Sequence, residues 1–236
     1  LKLSKFAYQF VQLGLSVEEA MNESNQPQGM VRLSMHESFF VTRMSPPVQQ
    51  FKNNFPKVKF RVEPGFDHFI IDQVLQHAVD FGFLPRNPQR DDFHFHPLIE
   101  EELVFIGSNA LTEKFESKGL SILNEETVLS FGNSCLYHTH AHQVLKEAGI
   151  EGNSAIQIPS IEMLKQAVKC GMGFALIPVI AAKKELENGE IKALPLRPGI
   201  FSSHGLVVNK DRELSLPATL FKSHILEYFS SLKQIV

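Results

Sequence analysis

Apolar and polar positions fall along this chain in blocks whose period keeps changing. Leu3, Phe6, Phe10, Leu13, Val17 and Ala20 recur at steps of three and four, the seam of a coiled-coil helix. Gly14 weakens that helix locally, and the polar run 22–29, ending Pro27-Gln28-Gly29, reads as a linker. From Met30 the period drops to two: Val31, Leu33 and Met35 alternate with Arg32 and Ser34, which predicts a strand. Ser45-Pro46-Pro47 then opens a helix with Val48, Phe51 and Phe55 inward, and Pro56 ends it. Val58, Phe60 and Val62 mark a second strand. Gly65 turns the chain into a helix carrying Phe69, Ile70, Val74 and Leu75, and the nearly continuous run 79–84 suits a buried parallel strand.

The second half has the same build. Strands are predicted at Leu103–Ile106, Ala155–Ile158, Gly173–Pro178, Ile191–Leu196 and Gly205–Val208. Between them fall a helix from Leu136 to Ala148, stopped by Gly149, and one capped by Ser160 with Ile161, Leu164, Ala167 and Val168 inward, stopped by Gly171. A last helix runs from Leu216 to Leu232. Strands and helices alternating at this spacing predict an α/β fold with a mostly parallel sheet.

Composition narrows the class. At 236 residues, 43% hydrophobic and 21% charged, the chain is globular and long enough for one large domain or two lobes. A net charge of −3 and pI of about 6.4 argue against these residues gripping DNA themselves. No apolar run reaches the ~18–20 residues of a membrane span. The mixed start Leu1-Lys2-Leu3-Ser4-Lys5-Phe6 is not a secretory signal, and beginning on Leu rather than Met suits a processed piece. Two cysteines, Cys135 and Cys170, cannot build a disulfide framework, which predicts a reduced, cytoplasmic setting. Cys170, ending an apolar helix face, is expected to be buried and inert, whereas Cys135 sits beside a helix N-terminus that lowers a thiol pKa. Twenty Phe with no Trp speak of core rather than chemistry.

Catalytic signatures are missing: there is no Gly-rich phosphate loop, GxSxG elbow or HExxH. Asp91-Asp92 and Glu100-Glu101-Glu102 read as solvated charge runs, so no enzyme is predicted. The histidines are the sharpest competing feature. His138 and His142 share a helix face, with His140 between them, and His94 and His96 share a strand face. Neither group has a third ligand nearby in sequence, so no metal ligands and no cofactor are assigned; a metal sensor built on His138, His140 and His142 stays an alternative.

Several stretches, in order, resemble the linker helix and effector-binding domain of LysR-type transcriptional regulators. They are Gly29–Ser34 with Glu37-Ser38; Pro46-Pro47 with Phe51 and Phe55–Val58; Gly65; Val79–Gly82; Pro97-Leu98 with Glu101–Val104; and Glu187–Ile191. The most specific is Ser160–Lys165 through Val168–Pro178, similar to the family's "Si..ik..V..GlGia.lP". The resemblance covers nearly the whole chain but contains nothing like the family's winged helix-turn-helix.

The resemblance implies a two-lobed, periplasmic-binding-protein-like fold of type 2. Residues 1–28 would form the linker helix and linker, 29–104 the first lobe with 203–236 returning to it, and 105–202 the second lobe. It implies that a small effector, expected to be an organic anion, binds between the lobes. Carried over by position, the effector residues are Glu37, Ser38, Gly65, Phe66, Phe83, Leu84, Ser134, Cys135, Pro159 and Ser160. Strand-to-helix turns of this kind present free N–H groups to an anion. It further implies a homodimer or homotetramer joined partly through Leu3, Phe6, Phe10, Leu13 and Val17, DNA contact only through the missing N-terminal domain, and RNA polymerase as a further partner. A solute-binding protein of a transport system is the other reading of the same architecture.

Overall fold

The computed structural model describes residues 7, 10, 11, 14, 27–132, 135–151, 154–196 and 199–233. Of the predicted seam, Phe10 is helical and 78% exposed; Leu3, Phe6, Leu13 and Val17 lie outside the described residues.

The chain divides into two compact units. One takes the residues up to Ile99 and resumes at Ser203; the other is Glu100–Ser202. The first unit's sheet joins β1 (Gly29–Met35), β2 (Val58–Pro64) and β3 (Phe81–Leu84), with β1 parallel to both others. The Gly205–Val207 part of a long strand, β9 (Ile200–Asn209), closes it antiparallel to β3. Alternation along β1 buries Val31, Leu33 and Met35 against α1 (Ser45–Asn54) and the C-terminal helix α7 (Leu216–Lys233). The phenylalanines concentrate here: Phe51 meets Phe221 edge-on at 5.2 Å, and Phe60 meets Phe221 at 5.0 Å. Ile70 and Val74 of α2 (Asp67–Leu75), with Leu84 and Val207, form a second apolar cluster. Ahead of α1, a helical turn at Glu37–Phe39 and a π-helical stretch at Phe40–Met44 join β1 to the helix, where the sequence shows no clear period.

In the second unit, β5 (Val128–Ser130) lies parallel to β6 (Ala155–Gln157) and β7 (Phe174–Pro178). The Leu103–Ile106 part of β4 (Phe93–Gly107) runs antiparallel to β7. Helices α3 (Asn109–Lys118), α4 (Leu136–Glu147), α5 (Ile161–Lys169) and α6 (Val179–Glu187) complete the unit.

Several sequence expectations change. The strand predicted at Leu103–Ile106 begins ten residues earlier, at Phe93. The predicted strand Ile191–Leu196 shrinks to β8 (Lys192–Ala193), because Pro195 has no N–H to give a ladder. Glu101 is only 2% exposed, since alternation on β4 turns it inward between the exposed Glu100 and Glu102. Cys170 is exposed, not buried: it follows α5 at the C-cap, off the buried stripe of Ile161, Leu164 and Val168.

Candidate functional site

The parallel register of the first unit sets Met35 against both Pro64 and Phe83. The residues that follow each strand therefore emerge along one sheet edge: His36-Glu37-Ser38, Gly65-Phe66-Asp67 and Leu84-Pro85-Arg86. The Gly65 N–H donates to the Met35 carbonyl at 3.0 Å, which ties the first two turns together. Phe66 is the N-cap of α2 and cannot cap it by side chain, so the first N–H groups of this nine-residue helix receive no capping oxygen from it.

An ionic cluster fills this edge. His36 Nε2 lies 2.9 Å from Asp67 Oδ1, with the two side chains only 4% and 6% exposed. Asp67 Oδ2 faces the Arg86 guanidinium at 3.5 Å, and Arg86 itself remains largely in solvent. The Phe66 ring meets His36 edge-on at 5.6 Å. Behind them His204 of β9 is buried, its ring 4.4 Å from that of Phe39. Burial first, then the nearby charges of His36 and Arg43, push the His204 imidazole down to about 3.

The structure thus brings Glu37, Ser38, Gly65 and Phe66 to one edge. Ser38 is buried, Glu37 and Phe66 half-buried. Phe83 and Leu84 end the adjoining strand, but their side chains belong to the two apolar clusters. His36, Asp67, Arg86 and His204 had escaped the sequence reading; their pairings cross long separations, 31 residues between His36 and Asp67.

The second unit repeats the strand-to-helix arrangement. Ile158 N–H donates to Ser130 O at 2.8 Å, so the ends of β5 and β6 stay in register. Gly132 has φ of 109°, a backbone that L side chains rarely adopt. Its N–H donates to Ser130 Oγ at 3.3 Å. Cys135, 1% exposed, is the N-cap of α4 without a side-chain cap bond. Ser160 is the N-cap of α5 by backbone, yet its hydroxyl makes no capping bond, contrary to the sequence expectation. Ser108 on α3 shows the capped alternative, accepting from the Leu111 N–H at 3.2 Å. Pro159 is exposed and Ser160 half-buried; Ser134 lies outside the described residues.

The histidines form two pairs. His94 and His96 on β4 are 6.5 Å apart between ring centroids. His138 and His142 are 4.2 Å apart, and His138 Nδ1 lies 3.0 Å from Ser130 Oγ. Burial, then the neighbouring His142, lowers the His138 pKa. His140 faces elsewhere, lining a pocket with Gln143, Val144 and Phe201. Among the described residues no group of three or more His, Cys, Asp or Glu gathers to hold a metal, and no helix is long and apolar enough to cross a membrane.

Comparison with known proteins gives a consistent picture. The family described as the LysR substrate binding domain matches residues 24–230. An uncharacterized HTH-type transcriptional regulator, YwqM of Bacillus subtilis (strain 168), is 28% identical over 221 residues, covering 92% of this chain and 74% of that protein. The chain spans 59% to 74% of the length of the first curated relatives it matches. Among solved structures, the effector binding domain of QuiR in complex with shikimate superposes with a TM-score of 0.70 at 17% identity, covering 87% of this chain and 99% of that one. Full-length LTTR LysG from Corynebacterium glutamicum with bound effector Arg gives 0.76 at 14% identity, covering 96% of this chain and 76% of that one. The fold is therefore the α/β, periplasmic-binding-protein-like fold of such effector-binding domains.

Proposed function

The chain belongs to the LysR substrate-binding domain family, and from that premise we propose that it senses a small organic anion for a LysR-type transcriptional regulator. One observation carries the ligand class: at one edge of the first unit, the strand ends meet the uncapped start of α2 beside the largely exposed Arg86 guanidinium, one side of which faces Asp67. Free N–H groups and the positive end of a helix dipole favour an anion there. Arg86 adds a planar fork that suits a carboxylate. Shikimate, the ligand named for one structural neighbour, is a carboxylate.

In this reading Glu37, Ser38, Gly65, Phe66, Phe83 and Leu84 are the effector positions of the first unit, with His36 and Arg86 added. Ser134, Cys135, Pro159 and Ser160 are those of the second. The regulator acts in the cytoplasm as a homodimer or homotetramer. DNA is contacted through a separate domain, with RNA polymerase as a further partner. The effector regulates by binding one arrangement of the subunits more tightly than another.

Thermal melting against a panel of anionic carboxylates, shikimate included, tests the ligand class. A bound anion at ~100 Kd adds about 2.7 kcal/mol, read as a rise of several degrees. Arg86→Gln should weaken that anion roughly ten- to hundredfold. Shifts from neutral compounds, with none from any anion, would overturn the proposal.

A further inference from the structure

We infer that His138 and His142 form a binding site for one divalent transition-metal ion on the second unit. The two residues stand one turn apart on α4, and their rings meet edge-to-face with centroids 4.2 Å apart. Two imidazoles one helical turn apart are the spacing by which a pair of histidines can share a single ion. His138 is held at Nδ1 by Ser130 Oγ at 3.0 Å, and Ser130 is itself only 7% exposed. With Nδ1 engaged, Nε2 is the ligating atom, the arrangement by which a hydrogen-bonded imidazole is oriented toward a metal. Gly132 N–H also donates to Ser130 Oγ, which fixes the hydroxyl from the other side. His142 is exposed, and the His138 ring is its ring neighbour.

Two imidazoles and open positions suit Cu²⁺ first, then Ni²⁺ and Zn²⁺. With two protein ligands the remaining positions stay with water or an exogenous anion, as in sites that keep exchangeable positions. The positive end of α4 works against a cation beside its first turn by a factor of about two to five. The site is therefore one of moderate affinity. The pair on β4 is the weaker candidate. Its rings are further apart, at 6.5 Å, and His96 lies in the positive field of Lys222.

The test is titration of the whole chain, free of any affinity tag, with Cu²⁺ alone and with Zn²⁺ alone, read by calorimetry. Electron paramagnetic resonance of the Cu²⁺ form counts its equatorial nitrogens. One ion per chain with two imidazole nitrogens is expected. His142→Ala and His138→Ala should each remove one nitrogen from the spectrum and weaken binding more than tenfold. Ser130→Ala should weaken it about tenfold while keeping both nitrogens. His94→Ala should change nothing. Because His142 is exposed, its variant should melt at the temperature of the unsubstituted chain, so a loss of binding is not a loss of fold. No stoichiometric uptake, uptake insensitive to His142→Ala, or uptake abolished by His94→Ala would each overturn the inference.

Discussion

His204 shows what a single buried side chain can impose. Its imidazole is 1% exposed, and burial, helped by His36 and Arg43, lowers its pKa from 6.5 to about 3. Below pH 6.5 the unfolded chain takes up a proton that the folded chain refuses. Stability is therefore full above 6.5 and falls on acidification by up to ~1.4 kcal/mol per pH unit until about pH 3. His96 and His138 shift in the same direction, whereas the lowered Glu185 matters only below the usual carboxylate range. Urea unfolding between pH 6.5 and 5 should show this slope, and His204→Gln should flatten most of it; an unchanged slope in the variant would refute the assignment. Such residues were the least legible in the sequence. A lone histidine there reads as core, and nothing in the spacing of His36, Asp67, Arg86 and His204 announces that folding joins three strand ends. Ser38, Gly65 and Phe66, by contrast, were placed by the resemblance to a known motif order.

Among the elements, the most specific sequence stretch has a plain physical reason. Gly173 immediately precedes β7 with φ of 154°, and a Cβ there would sit 2.1 Å from the Thr127 carbonyl oxygen. Since Phe174 N–H donates to that same carbonyl at 3.0 Å, the clash cannot be relieved without breaking the start of the strand. Gly173→Ala should cost about 2–4 kcal/mol, read as a lower urea midpoint. Gly149→Ala is the comparison: it also has positive φ, 75°, but open space around the Cβ position, so only the left-handed backbone penalises it, at roughly 1 kcal/mol. Equal losses would refute the steric account. Elements with a strong period, such as β1, β2 and α5, were readable from the chain alone. The first part of β4 was not, because Pro97 and the charges at 100–102 interrupt its alternation. Nor was α3, which offers only Leu111 and Phe115 as a broken apolar stripe beyond Ala110.

At the scale of the whole molecule, one unit breaks off at Ile99 and resumes at Ser203, and the other is inserted between. The exposed Phe10 lies on the heptad seam read from the sequence, and a seam of that period is the surface along which two helices pair. Sedimentation equilibrium should show concentration-dependent self-association that Phe10→Ser weakens; a strict monomer at all concentrations would argue against dimerisation through this segment. The interrupted unit also has a consequence for synthesis on the ribosome. Its core needs Phe221, Ile225 and Phe229 from α7 to cover β1 and α1. Between Ile99 and Ser203 the ribosome must first deliver the 103 residues of Glu100–Ser202. At ~5–20 residues per second that takes roughly 5–20 seconds. During that time Val31, Leu33 and Phe81 wait without their last covering helix, while the inserted unit is complete and free to fold. The inserted unit therefore has all its residues available before the interrupted unit receives its last helix.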